Sequence, residues 1–88
     1  IGKGSLLGPH CCFVASSHAV NERPLISQPM IRGAIIIGDN VWFGANCTIN
    51  MGVTIGDNAI IGANSFVNKD VPANTVYAGS PAKYIRQR

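Results

Sequence analysis

The sequence predicts an all-β fold, a solenoid of stacked coils, because three features recur along it every six residues. Large apolar residues keep this spacing, which neither an α-helix nor an ordinary strand produces. Glycine directly follows most of these residues, and Asn or Gly stands three positions after most of them. The apolar positions are Ile1, Leu7, Phe13, Ile37, Phe43, Ile49, Ile55, Ile61 and Val67. Repetition at a fixed short period is typical of a solenoid.

Each six-residue unit, or hexad, is predicted to be a short extended piece followed by a turn. The apolar side chain points inward, and the Asn or Gly three positions later makes the turn, because these residues tolerate positive φ. The turn positions are Gly4, Asn40, Asn46, Gly52, Asn58 and Asn64. Three hexads complete a triangular coil of about 18 residues, and about five such coils stack about 4.8 Å apart.

The regular hexads stop between Ser17 and Ile37, where the Gly and Asn turn markers vanish. This stretch either runs as an irregular coil or leaves the solenoid as a loop before it re-enters. Pro24 and Pro29 favour an irregular path with few ladder hydrogen bonds. We therefore expect residues 1–79 to form the solenoid, with an irregular insertion at about 19–36, and insertions of this kind often carry function.

The two ends of the solenoid differ. Residues 80–88 are predicted to form a short C-terminal capping helix, because Ser80 suits an N-cap, Pro81 suits the first helical position and helix formers follow. Such a cap would cover the exposed core and the open strand edges. At the other end, Ile1 begins within a hexad and no initiator Met precedes it. We expect a fragment, or a chain whose first coils or leading helix lie outside it.

The formal net charge of +3 is concentrated near the C-terminus. Acidic and basic residues cancel up to residue 68, whereas the remainder carries four cations against Asp70 alone. The four cations are Lys69, Lys83, Arg86 and Arg88. A basic end suits a phosphorylated small ligand, although a solvated terminal helix would carry the same charges. Nucleic acid is disfavoured as a partner, because the chain is neutral elsewhere and lacks interleaved basic and aromatic residues.

The three cysteines have neither metal-site spacing nor the arithmetic of a secreted disulfide framework. Cys11 and Cys47 occupy the small interior position of their hexads, so we expect them to be buried thiols. The sequence contains no signal peptide pattern and no apolar run of membrane-spanning length. We expect a cytoplasmic protein with no membrane insertion and no bound metal.

Three longer motifs carry a resemblance that covers essentially the whole chain. They are I-G-D-N-V-W-F-G at residues 37–44, V-N-K-D-V-P at 67–72 and A-G-S-P-A-K at 78–83. Together with the hexads, they resemble the hexapeptide-repeat acyltransferases, in particular the sugar O-acetyltransferase branch with its galactoside, maltose and surface-polysaccharide enzymes. The resemblance implies a left-handed parallel β-helix, a hand that breaks the usual right-handed crossover rule.

His18 is the predicted catalytic residue. A neutral imidazole near pH 7 can take a proton from a hydroxyl as that hydroxyl attacks an acyl carbonyl. In the sugar O-acetyltransferases a general-base His ends one coil before an irregular stretch, and the resemblance implies this role for His18. His10 occupies an Asn or Gly turn position, and we interpret it as structural.

The resemblance also implies acetyl-CoA as the acyl donor, bound in the groove between two subunits of a homotrimer. Backbone groups at Ala45 and Ala63 would contact the pantetheine. Trp42 would pack near the thioester, or would be only a wedge on the outer wall.

The nucleotide end of the donor would meet the basic part of the chain. By the same resemblance, Asn68 and Lys69 would border the nucleotide, and Lys83 and Arg86 would pair with phosphate oxygens.

The resulting hypothesis is an acetyl-CoA-dependent O-acetyltransferase that acts on a hydroxyl of a sugar or surface-polysaccharide precursor. Transfer would be direct, in a ternary complex, with His18 as base and a backbone N–H near Ala45 steadying the oxyanion. The alternative is a non-catalytic β-helix trimerisation module or a truncated pseudoenzyme. A metalloenzyme on the same fold would need three histidine ligands, and the sequence has only two histidines.

Overall fold

The computed structural model describes residues 1–14, 16–18 and 30–88, with the backbone alone for residues 16–18 and 30–32. Within these ranges the chain forms twelve strands and no helix, so no described helix could cross a membrane. The strands are β1 (Leu6–Leu7), β2 (Cys12–Phe13), β3 (Ser16–His18), β4 (Met30–Arg32), β5 (Ile36–Ile37), β6 (Trp42–Phe43), β7 (Thr48–Ile49), β8 (Thr54–Ile55), β9 (Ile60–Ile61), β10 (Phe66–Val67), β11 (Thr75–Gly79) and β12 (Ala82–Gln87).

The short strands stack in parallel at the spacing that the hexads predict. Trp42 on β6 pairs with Ile60 on β9, and the neighbouring corner bond from Asp39 to Asp57 spans 18 residues. The resulting sheets are β1-β6-β9-β11-β12, β10-β7-β2 and β5-β8. The chain therefore returns to the same sheet after every three hexads.

The inward hexad positions from Ile37 onward form the core, as predicted, whereas Ile1 and Leu7 are exposed, at 72% and 47%, and Phe13 is only partly buried. Phe43, Ile49 and Ile61 have no exposed surface, and Phe43 meets Phe13 edge to face with 5.6 Å between ring centroids. The remaining buried hydrophobic residues are Ile37, Val41, Cys47, Val53, Ile55, Ala59, Val67 and Val71. Burial of each large side chain contributes about 1.5–3 kcal/mol.

Every predicted turn residue adopts positive φ. The values lie between 56° and 76° at Gly4, Asn40, Asn46, Gly52, Asn58 and Asn64, and His10 (62°) and Asn74 (61°) share this conformation. At these corners an Asn backbone N–H donates to a carbonyl of the neighbouring coil, as Asn64 does to Ala45 at 2.9 Å. The left-handed conformation thus turns the chain and links adjacent coils.

The C-terminal segment is a β-hairpin, so the prediction of a capping helix at residues 80–88 is wrong. Strand β12 pairs antiparallel with β11, with Ala78 opposite Lys83, and the connecting Ser80–Pro81 peptide bond is cis. The other edge of β11 pairs with β9. A helix would leave the outer edge of β11 without hydrogen-bond partners, whereas β12 satisfies it. Ala82 packs against the core, so the hairpin covers this end of the stack.

The region of the expected insertion is described only at its edges. Strands β3 and β4 pair antiparallel, with His18 opposite Met30, which departs from the parallel pattern of the hexads. Residues 19–29 of the expected insertion lie outside the described residues. The parallel register is present from Ile36, which pairs with Thr54.

We expect Asn46→Val to lower the free energy of unfolding by about 1–2 kcal/mol, because a β-branched side chain is strained at positive φ. Asn46→Gly should cost little, since glycine adopts this conformation freely. Urea unfolding measures both. The matched control is Asn50→Val, the same change outside the positive-φ positions. Equal losses for Asn46→Val and Asn50→Val would contradict the assigned role of the corner.

Candidate functional site

A groove of about 470 Å³ lies beside the C-terminal hairpin. We call it the hairpin groove. One wall is the corner that follows β10, and the other is formed by Tyr77 on β11, the turn and the start of β12. The lining residues are Asn68, Lys69, Asp70, Tyr77, Pro81, Ala82, Lys83 and Tyr84. Three of the predicted donor-binding residues, Asn68, Lys69 and Lys83, therefore meet in one groove.

The corner wall is fixed by Asp70. Its carboxylate Oδ1 accepts a hydrogen bond of 2.8 Å from the backbone N–H of Thr54. The next residue, Val71, donates its own N–H to the Thr54 carbonyl at 2.9 Å. Two bonds to one residue of the neighbouring coil hold this corner, and Lys69 projects from it as an exposed side chain.

The hairpin wall is fixed through Ser65 and an aromatic pair. Ser65 is buried, and its hydroxyl donates to the Gly62 carbonyl at 2.6 Å while accepting the Gly79 N–H at 3.2 Å. Tyr77 and Tyr84 meet edge to face, with 6.0 Å between ring centroids. These contacts hold the end of β11 and the start of β12 in register, which sets where Lys83 enters the groove.

The charge of the hairpin groove is positive. Lys69 and Lys83 face the single carboxylate of Asp70, which already accepts a backbone N–H. Two ammonium groups at the edge of a groove suit phosphate oxygens. Arg86, the other residue predicted to pair with phosphate, lies on β12 outside the groove lining. Its guanidinium Nη1 donates to the Gln87 carbonyl at 3.0 Å.

The two predicted alanines lie at stacked corners. Ala45 is half-buried and Ala63 is exposed, and the Ala45 carbonyl accepts the N–H of Asn64. A Cβ on Gly44 would stand 2.5 Å from the Ala63 backbone nitrogen. Because glycine allows this approach, the backbones of the two corners lie close together along one edge of the stack.

Trp42 lies on the outer face of β6 and is 53% exposed. Its in-register neighbours are Leu6 on β1 and Ile60 on β9. Leu6 is also exposed, at 65%, and Val76 continues the row opposite Ile60. We call Leu6, Trp42, Ile60 and Val76 the apolar ladder. Ile60 and Val76 are half-buried, so the exposed part of the ladder is formed by Leu6 and Trp42.

The two histidines differ in what the structure describes. His18 ends β3 opposite Met30, and its side chain lies outside the described part. His10 is an exposed turn residue with φ 62°. This geometry agrees with the structural interpretation of His10. No group of three His, Cys, Asp or Glu side chains in the described ranges could hold a metal ion.

The thiols of Cys11 and Cys47 share one acceptor. Both donate to the Gly44 carbonyl, at 3.3 and 3.2 Å, and Cys47 also contacts the Gly62 carbonyl at 3.2 Å. Burial raises the pKa of the Cys47 thiol, and the neighbouring Cys11 raises that pKa further. Cys47 is fully buried, Cys11 is partly exposed and Cys12 is exposed, so burial is confirmed for Cys47 but only partial for Cys11.

Sequence reasoning missed the aromatic and hairpin residues of the groove, Tyr77, Pro81, Ala82 and Tyr84, and the anchoring role of Asp70. The assignment of residues 80–88 to a helix hid the hairpin residues. A signal was present, because β-prone residues continue through Thr75-Val76-Tyr77 and a strand there needs a partner at its open edge.

Comparison with known proteins agrees with this architecture. A family model described as the hexapeptide repeat of succinyl-transferase matches residues 34–69. Galactoside O-acetyltransferase of Escherichia coli K12 is 44% identical over 87 residues, which span 99% of this chain and 43% of that protein.

Two solved structures superpose closely on the chain. One is a hexapeptide-repeat acetyltransferase of Vibrio cholerae, solved with acetyl coenzyme A, with a TM-score of 0.91 and 41% sequence identity. The superposition covers 97% of this chain and 46% of the Vibrio chain. The other is a maltose O-acetyltransferase of Clostridium difficile 630, with a TM-score of 0.90 and 36% sequence identity. The superposition covers 98% of this chain and 48% of the Clostridium chain.

The stacked hexads thus define a hexapeptide-repeat protein. The chain belongs to the hexapeptide-repeat acyltransferase family, among relatives that include galactoside and maltose O-acetyltransferases. It spans less than half the length of the curated relatives that it matches, 43% of the E. coli enzyme and 42% of a putative acetyltransferase from Schizosaccharomyces pombe.

We expect Cys12 to react with a thiol reagent such as iodoacetamide at pH 7.5 much faster than Cys47. The reason is that Cys12 is exposed, whereas burial both shields Cys47 and raises its pKa. Mass spectrometry of timed samples gives the order, and denaturant should equalise the two rates. Rapid labelling of Cys47 in the folded protein would contradict its place in the core.

Proposed function

We propose that the chain is part of an acetyl-CoA-dependent O-acetyltransferase that acts on a hydroxyl of a sugar or surface-polysaccharide precursor. The hairpin groove carries this proposal, because it joins Asn68, Lys69 and Lys83 in a positively charged site of ligand size. The acetyl coenzyme A complex of the Vibrio relative supports the donor. The names of the E. coli and Clostridium relatives support a sugar acceptor.

In this proposal the phosphates of the donor lie in the hairpin groove. Lys69 and Lys83 neutralise them from opposite walls, and Asn68 borders the nucleotide. Arg86 is exposed on the same strand as Lys83, so its long side chain can exchange its contact with Gln87 for a phosphate oxygen. Exposed ammonium and guanidinium groups cost little to pair in this way, because their present contacts are weak.

The pantetheine arm runs along the stacked corners at Ala45 and Ala63, and hydrogen-bonds backbone groups there that the coils leave free. Trp42 packs near the thioester. The close approach of Gly44 to the Ala63 backbone supports this path, because it stacks the two corners next to each other along one edge.

The chemistry assigned to His18 is general-base catalysis. Its imidazole takes the acceptor hydroxyl proton while the oxygen attacks the acetyl carbonyl, and a backbone N–H near Ala45 stabilises the oxyanion. The carbon–sulfur bond then breaks, and the thiolate of coenzyme A takes the proton from the imidazolium. No cysteine is used, which agrees with the raised pKa of Cys47.

We assign the stacked sheets of residues 1–79, with the insertion at about 19–36, to a left-handed parallel β-helix, the fold of the family. We further propose a cytoplasmic homotrimer with active sites between subunits. The apolar ladder supports assembly, because Leu6 and Trp42 expose large apolar side chains next to each other on its surface.

The apolar ladder also favours a second candidate, a non-catalytic trimerisation module or truncated pseudoenzyme. Such a protein would assemble through the same face and would have no need of acetyl-CoA. A measurement of acetyl-CoA binding therefore distinguishes the acetyltransferase from the non-catalytic module.

We expect Lys83→Gln to weaken acetyl-CoA binding roughly tenfold, because it removes one of two cations that pair with phosphate. Isothermal titration of the purified protein measures the dissociation constant. Lys3→Gln is the matched control: it removes the same charge at a corner remote in sequence, where Lys3 is held through its backbone N–H to Asp39. Equal affinities for Lys83→Gln and the wild type would place the phosphates elsewhere.

We expect His18→Ala to lower kcat for acetyl transfer by about 10²–10⁴-fold while acetyl-CoA affinity stays unchanged, because a general base acts only on the acceptor proton. Steady-state kinetics with galactoside and maltose acceptors measures kcat. His10→Asn is the control, since Asn tolerates the positive φ of this corner. Full activity of His18→Ala would remove His18 from the mechanism.

A further inference from the structure

We infer that Arg88 is a positioning residue, which holds the β12 wall of the hairpin groove at the distance from Lys69 that the donor needs. This inference rests on the proposed donor site. Arg88 does not line the groove itself, so its effect on a ligand passes through β12.

Arg88 ties three stacked corners together. Its backbone N–H donates to the Asn74 carbonyl at 2.8 Å. Its guanidinium Nη1 donates to the carbonyls of Asn58, at 3.0 Å, and Asn40, at 3.2 Å. Asn40, Asn58 and Asn74 are successive positive-φ corners of one column, and Asn58 Nδ2 also donates to Asn74 Oδ1 at 3.0 Å. One residue thus crosses the edges of three coils.

The clamp adds to the ladder with β11, which is otherwise what holds the far end of β12. Strand β12 is the outermost strand of its sheet, and every residue after Ala82 is exposed. Ala82 is held at the start by its contact with the core, next to the hairpin turn. Arg88 directly follows the last residue of β12 and fixes the opposite end.

The clamp and the groove lie at opposite ends of the same strand. Lys83 pairs with Ala78 near the turn, and Gln87 pairs with Thr75 beside Arg88. The ladder has a register irregularity between Val76 and Tyr77, which interrupts the regular pairing between these two ends. Release of Arg88 leaves the far end of β12 with only this irregular ladder, so motion there is passed along the strand and shifts Lys83 relative to Lys69.

Arg86 provides an internal contrast. It lies on β12 two residues before Arg88, but in the described part of the chain its guanidinium bonds only the adjacent Gln87 carbonyl. Arg86 therefore leaves the corners untouched, whereas Arg88 links β12 to the coils. Loss of either arginine would remove one positive charge near the groove. Only loss of Arg88 would also free β12 from the coils, so the mobility of this strand distinguishes the two residues.

The test combines hydrogen exchange with acetyl-CoA titration on the wild type, Arg88→Gln, Arg88→Lys and the charge control Lys3→Gln. We expect Arg88→Gln to speed amide exchange in residues 82–87 about fivefold and to weaken acetyl-CoA binding by a similar factor. Exchange around the core strands β7 and β9 should stay unchanged. Arg88→Lys keeps one charged donor and should recover part of both effects.

Three results would overturn the inference. If Arg88→Gln had the same amide exchange rates in residues 82–87 and the same acetyl-CoA affinity as the wild type, the clamp would not position β12. Weaker binding with unchanged exchange would make Arg88 a direct ligand contact. A wild-type protein that fails to bind acetyl-CoA would overturn the donor site, and the positioning role with it, even if exchange still reports a clamp. If Arg88→Gln does not fold, the same comparison of Arg88→Lys with the wild type decides.

Discussion

Corner residues with positive φ carry the constraint on which the stack depends. At each asparagine corner the chain changes direction and the backbone N–H reaches the neighbouring coil, as in the bonds from Asn40 to Lys3, from Asn58 to Asp39 and from Asn74 to Asp57. An ordinary L-residue pays about 1–2 kcal/mol for this conformation, so the sequence places Asn or Gly there. The short strands between corners, mostly two residues long, have too few bonds to set this geometry alone.

The same corners explain where a ligand groove can form. Within the stack the neighbouring coils pair strand to strand, and the inward side chains from Ile37 onward are buried. After β10 the chain enters the hairpin of β11 and β12 instead of another run of two-residue strands. Because β12 runs antiparallel to β11 whereas the preceding strands stack in parallel, a groove remains between the hairpin turn and the corner at Asn68–Asp70.

The spacing of the sequence predicts the repeated part well and the terminal part poorly. Inward positions and corners follow from a strict period, and structure and pattern agree at residues such as Phe43 and Asn58. The segment from Ser80 has no repeat to constrain it. Ser80 and Pro81 suit a helix start and a turn alike. The hairpin is preferred to the helix because the free edge of β11 needs a hydrogen-bonding partner. This edge exists only in the assembled sheet, so the local sequence does not reveal it.

Some residues of the candidate site could likewise be predicted from the sequence, and others could not. The basic lysines are visible as a local charge excess, and the resemblance assigns them to the donor. The tyrosines and the Arg88 clamp depend on which strand faces which, so composition cannot reveal them. His18 marks the opposite case, since its role follows from chemistry and resemblance while its side chain lies outside the described residues.

A crystal structure of the protein with acetyl-CoA tests the donor site most directly. We predict density for the phosphates between Lys69 and Lys83, with the pantetheine along the corners at Ala45 and Ala63. Donor bound on another surface, with the hairpin groove free of density, would contradict this assignment.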